Sequence, residues 1–172
     1  MNIFTVGHSN RTLEFFVSLL LGYEIMRLVD VRTIPRSRHN PQFNRDTLPQ
    51  MLQVAGIAYT HLPGLGGLRS TRKDSPNQGW TNASFRGFAD YMQTGEFRKG
   101  LDQLIHLAKL QTVAIMCAEA VPWRCHRSLI ADAMTVRGIR VCHIMSRISA
   151  PRHTLTPWAR VRGTQITYPE PT

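Results

Sequence analysis

The chain has 172 residues, 42% of them hydrophobic and 19% charged, which is typical of one globular domain and excludes an intrinsically disordered chain. Its formal net charge of +10 comes almost wholly from arginine, with 18 Arg against 3 Lys. The planar guanidinium of arginine can donate two parallel hydrogen bonds to a phosphate or carboxylate group. The charge balance therefore favours an anionic small molecule or a nucleic acid as the partner, although arginine used only for solubility would give the same excess.

The N-terminal residues MNIFTVGHSNR contain no basic leader followed by a long apolar region, and the apolar stretch 15–21 is too short to span a bilayer. We therefore expect a soluble cytoplasmic protein without a membrane partner. Three cysteines are an odd number, which argues against a disulfide framework and for reduced thiols. Nothing in the sequence indicates the oligomeric state.

Short apolar runs alternate along the chain with segments of helical periodicity. The predicted strands are 2–6, 26–31, 57–61, 112–116 and 140–144, and the predicted helices are 12–21, 44–55, 85–92, 97–108 and about 125–137. This alternation predicts one three-layer α/β domain over residues 1–172, in which a mostly parallel central sheet has helices on both faces.

Two segments lack this alternation. Residues 68–83, LRSTRKDSPNQGWTNA, are basic at their start and show no periodicity; a loop of this length is usually a lid, a binding loop or a mobile segment. The tail, residues 149–172, is rich in Arg, Pro and Thr, and its part 159–168 is predicted to be a short hairpin around Gly163.

Polar and glycine residues follow the predicted strands. Because the carboxyl ends of parallel strands lie at one edge of a sheet, where open α/β sheets bind ligands, we expect these residues to converge into one site. They are His8, Ser9, Asp30, Arg32, Arg36, Ser37, His61, Gly66, Gly67, Cys117, Glu119, His126 and Arg127. Taken singly, each has a simpler explanation, such as a capped turn at 7–9 or a structural ion pair between Asp30 and Arg32. The glycine spacing fits neither a dinucleotide-binding loop nor a P-loop.

The stretch IMCAEAVPWRCHRSLIA, residues 115–131, concentrates reactive groups at the end of the fourth predicted strand. Cys117 precedes a helix N-terminus and nearby arginines, and both features lower the pKa of a thiol. Cys125 lies four residues before Leu129 on the predicted helix, so we expect it to be packed in the core. Six residues separate Cys117 from Arg124, whereas a cysteine-phosphatase loop has five between its Cys and Arg.

A metal site is a weaker interpretation of the same stretch. The chain contains no C-x-x-C pair, and the adjacent Cys125 and His126 would point about 100° apart on a helix. An ion held by Cys117 and histidines from other strand ends (His8, His61 or His143) stays open as an alternative. No cofactor is predicted.

The leading hypothesis is an enzyme acting on a phosphate-bearing or other anionic substrate, such as a nucleotide or nucleic acid. Cys117 would be a nucleophile or polar contact, Glu119 and Asp30 acid/base or orienting carboxylates, and His8 a proton carrier. Arg32, Arg36 and Arg127 would hold the anion, with Ser9 and Ser37 as hydrogen-bonding partners; His61, Gly66, Gly67 and His126 complete the predicted binding set. The alternatives are a non-catalytic nucleic-acid-binding or regulatory module that uses the basic loop, and a metal-binding protein.

Six segments together resemble one known family. They are VGHSNRTLEFF (6–16), LVDVRTIPRSRHNPQF (28–43), YTHLPGLGG (59–67), FADYMQTGEF (88–97), MCAEAVPWRCHRSLIAD (116–132) and HTLTPWAR (153–160). The chain is similar to the domain-of-unknown-function 488 family over almost its whole length. This resemblance implies a compact α/β fold and no established reaction. The long basic stretch after Gly67 departs from the family pattern.

Overall fold

The computed structural model describes all residues from 1 to 172 and contains a five-stranded, wholly parallel central sheet. Its strands are β1 (Asn2–Gly7), β2 (Arg27–Asp30), β3 (Ala58–His61), β4 (Val113–Cys117) and β5 (Arg140–His143). Their order across the sheet is β3-β2-β4-β1-β5. The predicted fold class is confirmed.

Five α-helices cover the sheet: α1 (Leu13–Gly22), α2 (Leu48–Val54), α3 (Ala83–Tyr91), α4 (Gly95–Leu110) and α5 (Arg127–Thr135). Side chains of Thr12, Asn82 and Thr94 accept the first free backbone N–H groups of α1, α3 and α4, which fixes where these helices begin. One core cluster, of 13 buried residues, lies under α1 and α2. The other, of 23 buried residues, lies under α3, α4 and α5.

The chain order explains why the helices divide between the two faces. From β1 through β2 to β3 the chain moves toward one edge of the sheet, and it then reverses through β4 to β5. Because each crossover is right-handed, the reversal places the later helices on the opposite face. β1 and β4 are neighbours whose following loops lead to opposite faces, so a crevice opens beyond their carboxyl ends.

Side-chain alternation along the strands decides which residues border each half of this crevice. In β4, Ile115 and Cys117 belong to the core under α5, whereas Met116 belongs to the core under α1 and α2. Val29 of β2 and Val31, which directly follows this strand, belong to the core under α5. Asp30, between them, therefore points toward the α1 and α2 layer.

Four predicted helix starts differ from the structure by two to four residues: α3 begins at Ala83 rather than at 85, α4 at Gly95 rather than at 97, and α2 and α5 begin later than predicted. α5 begins at Arg127 rather than near Cys125, because residues Pro122–Arg124 form a 3₁₀ turn and Cys125 after it is extended, with φ −139° and ψ 149°. Cys125 is buried, as predicted, but it is not on a helix. α2 begins at Leu48 rather than at 44, and Pro49 stands in its first turn, where its missing N–H costs nothing.

The basic loop 68–83 has no regular structure, but Asp90 fastens it to the domain. The buried carboxylate of Asp90 accepts hydrogen bonds from the Arg72 backbone N–H, the Ser75 hydroxyl and the Asn77 amide. Asn77 in turn accepts the backbone N–H of Tyr168 from the tail. Loop and tail therefore hold each other in place.

The tail ends in the predicted hairpin, formed by β6 (Arg160–Arg162) and β7 (Gln165–Thr167). It is anchored on Asp132 of α5, which is fully buried. Asp132 accepts hydrogen bonds from the ring of His153, from the backbone and hydroxyl of Thr156, and from the hydroxyl of Tyr168.

No helix of the structure combines the length and apolar character that crossing a bilayer requires.

Candidate functional site

A cleft of about 440 Å³ opens at the carboxyl edge of the sheet, over the ends of β1, β2 and β4. It lies at the crevice that the strand order predicts. Four predicted site residues from the first half of the chain line it, namely His8, Arg32, Arg36 and Ser37. Four others, Gly67, Cys117, Glu119 and His126, line it from the later loops.

The remaining five predicted residues do not line the cleft. Asp30 and Arg127 are fully buried beneath it. Ser9 lies behind His8, with its backbone N–H donated to the carbonyl of Ala118. His61 donates from its ring to the backbone carbonyl of Arg32, and Gly66 packs against Thr33.

Two glycines allow the loops around the cleft to approach each other. A Cβ at Gly7 would stand 1.7 Å from the backbone oxygen of Glu119, and one at Gly67 would stand 2.7 Å from the ring of His126. Real Cβ atoms do not come this close to other heavy atoms. Glycine at position 7 is therefore required by the close approach of the Glu119 backbone, and glycine at position 67 by the packing of the His126 ring against it.

One half of the cleft is built on the buried pair of Asp30 and Arg32. The carboxylate accepts two hydrogen bonds from the Arg32 guanidinium, at 2.9 and 2.7 Å, and one from the hydroxyl of Tyr59. Burial and the neighbouring Asp30 charge raise the pKa of Tyr59, so its hydroxyl stays protonated and donates. The charge of Arg32 is thus largely balanced before any ligand arrives.

His8 lies beside this pair and stacks on the ring of Phe43, with centroids 4.5 Å apart. Its Nδ1 donates to the backbone oxygen of Ser9, which leaves Nε2 to accept from the Arg32 guanidinium at 3.4 Å. Burial lowers the pKa of His8 to about 4. The imidazole is therefore neutral at physiological pH, and its Nε2 lone pair faces the Arg32 guanidinium.

Arg127 supports the other half from below. Its guanidinium donates to the backbone oxygens of Glu119 and Ala120 and to the hydroxyl of Thr5. Burial lowers the pKa of Arg127 to about 10, so the side chain is charged at neutral pH although no carboxylate pairs with it. Arg127 positions the 118–120 loop and places a positive charge under the cleft.

The floor of this half contains two sulfur atoms. The sulfur atoms of Cys117 and Cys125 are in contact, with the two Cα atoms 7.3 Å apart, and Cys142 is a free, buried cysteine. The contact places the two sulfurs close enough to react with each other, and the expectation of reduced thiols stays a prediction. The alternation in β4 points Cys117 toward α5, and the extended residue after the 3₁₀ turn returns Cys125 to the same strand end.

His126 lies beside Cys125. Its Nε2 donates to the backbone oxygen of Val31 at 2.9 Å, and its Nδ1 stands 3.5 Å from the sulfur of Cys125. Burial lowers the pKa of His126 to about 4. The ring is therefore neutral, and the Val31 contact leaves the Nδ1 lone pair directed at the sulfur.

The mouth of the cleft has an unbalanced positive charge. Arg36 and Arg124 line it, are exposed, and take part in none of the chain's three ion pairs. Glu119 is the only acidic side chain in the lining. The arrangement can therefore bind an anion by two free guanidiniums, beside a carboxylate, a neutral imidazole and a sulfur pair.

Eight residues of the lining are outside the predicted set: Thr33, Ile34, Leu68, Ser84, Phe85, Ala118, Arg124 and Cys125. Tyr59, which bonds Asp30 behind the cleft, is outside it as well. The sequence indicates Arg124 as a charge near Cys117 but not as an anion-binding residue, whereas its place in the 3₁₀ turn brings it to the mouth of the cleft. Tyr59 gave no signal beyond its position two residues before a strand end. Ser84 and Phe85 reach the rim from α3, a contact that requires the long loop before them to fold back on the domain.

No group of three or more His, Cys, Asp or Glu side chains in the chain is arranged to hold a metal ion. The donor atoms of the sulfur pair are already used in their mutual contact, and the histidines nearest the cleft make hydrogen bonds of their own. We therefore assign no metal site.

The model of one protein family, described as Domain of unknown function DUF488, matches residues 12–134. The match covers more than half of the chain and includes β2, β3, β4 and the sulfur pair. The chain belongs to the DUF488 family. No curated protein and no solved structure shows significant similarity to it. The suspected DUF488 membership is thus confirmed, and the family description carries no reaction, so the functional argument depends on the geometry of this DUF488 cleft.

Proposed function

We propose that the cleft of this DUF488 protein is the site of an enzyme that acts on a phosphate-bearing or similarly anionic substrate, such as a nucleotide. The observation that carries the proposal is the pair of unpaired guanidiniums at its mouth, Arg36 and Arg124, above the buried charge of Arg127. Exposed arginines without acidic partners retain their full capacity for bidentate contacts to phosphate oxygens.

The groups around the proposed anion site could act in general acid/base catalysis. The pKa of His8, about 4, keeps its Nε2 unprotonated at physiological pH. That atom accepts a long hydrogen bond from Arg32, at 3.4 Å, and would act as a proton acceptor once substrate displaces this contact. Glu119 is exposed at the opposite side of the same cleft. Arg32, Ser37 and the backbone around Gly67 would orient the bound anion, while Asp30, Ser9, His61, Gly66 and Arg127 would act from behind as positioning residues.

Binding of pyrophosphate, followed by calorimetry at low ionic strength, tests the anion site directly. We expect the double variant Arg36→Ala, Arg124→Ala to bind at least about tenfold more weakly, because each charge-assisted hydrogen bond contributes about 1.5–3 kcal/mol. Arg98→Ala is the matched control, since Arg98 is exposed on α4 outside the cleft. Equal weakening in the control, or no pyrophosphate binding by the unsubstituted protein, contradicts the proposal.

Turnover is tested separately by incubating the protein with nucleoside mono-, di- and triphosphates and short oligonucleotides, and by separating the products chromatographically. We expect one class to be converted, and His8→Asn and Glu119→Gln to slow conversion more than binding. If anions bind but none of these compounds is converted, the catalytic part of the proposal fails while the binding part stands.

A non-catalytic nucleic-acid-binding module is the second candidate. Its support is a set of exposed basic side chains outside the cleft, on the basic loop and the tail: Arg72, Lys73, Arg152, Arg160 and Arg162. This support is weaker because Arg72 is already paired with Asp74 at 2.8 Å. The salt dependence of binding, described below, distinguishes a polyanion partner from a small anion.

A further inference from the structure

The two cysteines on the cleft floor have different surroundings. Cys125 stands two residues before the first residue of α5, and its sulfur accepts the backbone N–H of that residue, Arg127, at 3.5 Å. Hydrogen bonds from a helix N-terminus stabilise a thiolate. The sulfur of Cys117 faces the backbone oxygen of Glu119 at 3.8 Å. A carbonyl oxygen accepts from a thiol and repels a thiolate, so this contact favours the protonated form.

Further groups reinforce this asymmetry. The guanidinium of Arg127 lies beneath the floor without a carboxylate partner, and Arg124 lines the cleft from the turn that ends at Cys125. The Nδ1 of His126 faces the sulfur of Cys125 with its lone pair, so it can accept the thiol proton. A thiolate at this distance would favour the protonated ring, and the two groups would then titrate as a pair.

These surroundings do not suit a purely structural disulfide. Only seven residues separate the two cysteines, and cross-linking so short a loop removes little conformational entropy from the unfolded chain. The loop is already closed by the hydrogen bonds from Arg127 to Glu119 and Ala120. The groups around Cys125 can stabilise a thiolate only while Cys125 is reduced. We therefore expect this cysteine to be reduced for part of the time.

We propose that Cys125 and Cys117 form a reversible dithiol/disulfide pair that reacts with a small peroxide, and that Cys125 is the attacking thiolate while Cys117 is the resolving thiol. The two side chains are only 5% and 3% exposed on the cleft floor, which favours an oxidant of the size of hydrogen peroxide over a large disulfide. This proposal shares the cleft with the anion site but does not rest on it.

In the first step, the thiolate of Cys125 attacks one oxygen of the peroxide. The O–O bond breaks, Cys125 becomes a sulfenic acid, and the leaving hydroxide takes up the proton that the thiol had released, giving water. In the second step, the thiolate of Cys117 attacks the sulfur of Cys125 and displaces hydroxide, which leaves as water with the proton of Cys117. Two thiols are thereby oxidised to one disulfide, and one peroxide is reduced to two waters.

The test begins with the fully reduced, full-length protein, treated with less than one equivalent of hydrogen peroxide in the presence of dimedone, which traps sulfenic acids. Peptide mass spectrometry should find the dimedone adduct on Cys125. Without dimedone, Cys117 and Cys125 should lose their reactivity toward an alkylating agent together, and dithiothreitol should restore both. Cys142 should stay alkylatable after unfolding in every sample.

Variants separate the two roles. In Cys117→Ser the sulfenic acid of Cys125 should accumulate, because no resolving thiol is present. In Cys125→Ser the oxidation of Cys117 should be at least about tenfold slower, because its surroundings favour the thiol over the reactive thiolate. Cys142→Ser is the control and should behave as the unsubstituted protein does.

Adducts found first on Cys117, or oxidation of all three cysteines only after unfolding, would overturn the proposal. The result on the unsubstituted protein decides the matter even if a variant does not fold. Because no phosphate ligand is present, failure of this test leaves the anion site untouched, and failure of pyrophosphate binding leaves the sulfur chemistry untouched.

Discussion

Gly7 and the 118–120 loop show how single residues determine the geometry of the cleft. The backbone of β1 passes so close to Glu119 that there is no space for any side chain at position 7. The same approach lets Arg127 reach the carbonyls of Glu119 and Ala120. The positions of Glu119 and Cys117 therefore depend on Gly7 having no Cβ.

We expect Gly7→Ala to lower the free energy of unfolding by about 1–3 kcal/mol, as overpacking of a filled site does, and to weaken pyrophosphate binding by displacing the 118–120 loop. Urea unfolding and calorimetry measure the two effects. Gly22→Ala is the control, because a Cβ there meets nothing within 4 Å. A Gly7→Ala protein with unchanged stability and binding would show that the loop tolerates the shift.

The orientation of individual side chains was only partly predictable from the sequence. Strand alternation alone predicts that Asp30 and Val31 point to opposite faces of the sheet, and so do Met116 and Cys117, because the backbone of a strand fixes a period of two. The inward direction of Arg127 was not accessible in this way. It depends on where α5 begins, and a start two residues later rotates each side chain by about 200°. The 3₁₀ turn that sets this start has no periodicity to detect.

At the scale of elements, two buried carboxylates attach the basic loop and the tail to the helices. The pattern of apolar residues predicts no position for either segment. Asp90 on α3 holds the basic loop, and Asp132 on α5 holds the tail. The helices were predictable because each buries an apolar face of period 3.6, and the strands because they are short continuous apolar runs buried on both faces. The loop and the tail are fixed by polar contacts between residues far apart in the chain, which a single sequence does not reveal.

Replacing Asp132 by Ala should release the tail. The change leaves the buried donors of His153, Thr156 and Tyr168 without an acceptor, at a cost of about 1–3 kcal/mol for each donor that stays buried. Limited proteolysis should then cut within residues 149–168, and urea unfolding should show the loss of stability. Asp74→Ala is the control, since the Arg72–Asp74 pair is exposed and such pairs contribute about 0–1 kcal/mol. Resistance to cutting equal to that of the unsubstituted protein would refute the anchoring role.

At the scale of the whole molecule, buried neutral histidines link stability to pH. Burial lowers the pKa of His8 to about 4, of His126 to about 4 and of His143 to about 3. In the unfolded chain these groups take up protons near pH 6.5. Their contribution to stability is therefore complete above pH 6.5 and is lost as the pH falls toward 4, because protons then bind preferentially to the unfolded chain.

We expect the free energy of unfolding to fall by about 1–2 kcal/mol per buried histidine between pH 7 and pH 5. Urea titrations at several pH values measure this slope. His143→Gln should reduce the slope, whereas His106→Gln should not, because His106 is exposed on α4. A slope that is the same in both variants would mean that His143 does not contribute to it.

The net charge of +10 permits a further measurement on the intact protein. If the partner is a nucleic acid that contacts four or more phosphates, its affinity should fall by about 100-fold between about 50 and 200 mM salt, because condensed counterions are released on binding. A small anion held by two arginines should show a much shallower dependence. Fluorescence anisotropy of a labelled oligonucleotide over this range distinguishes the two; an affinity independent of salt would exclude the polyanion partner.

The position of β1 has a practical consequence for recombinant production. β1 lies between β4 and β5, yet the family match covers only residues 12–134. A shortened gene product limited to the matched residues would keep β2, β3 and β4 but lose both β1 and β5. One side of β4 would then present unpaired backbone groups to solvent, the condition under which sheets associate into aggregates. Expression vectors for this protein should therefore encode β1 and β5 together with the matched residues.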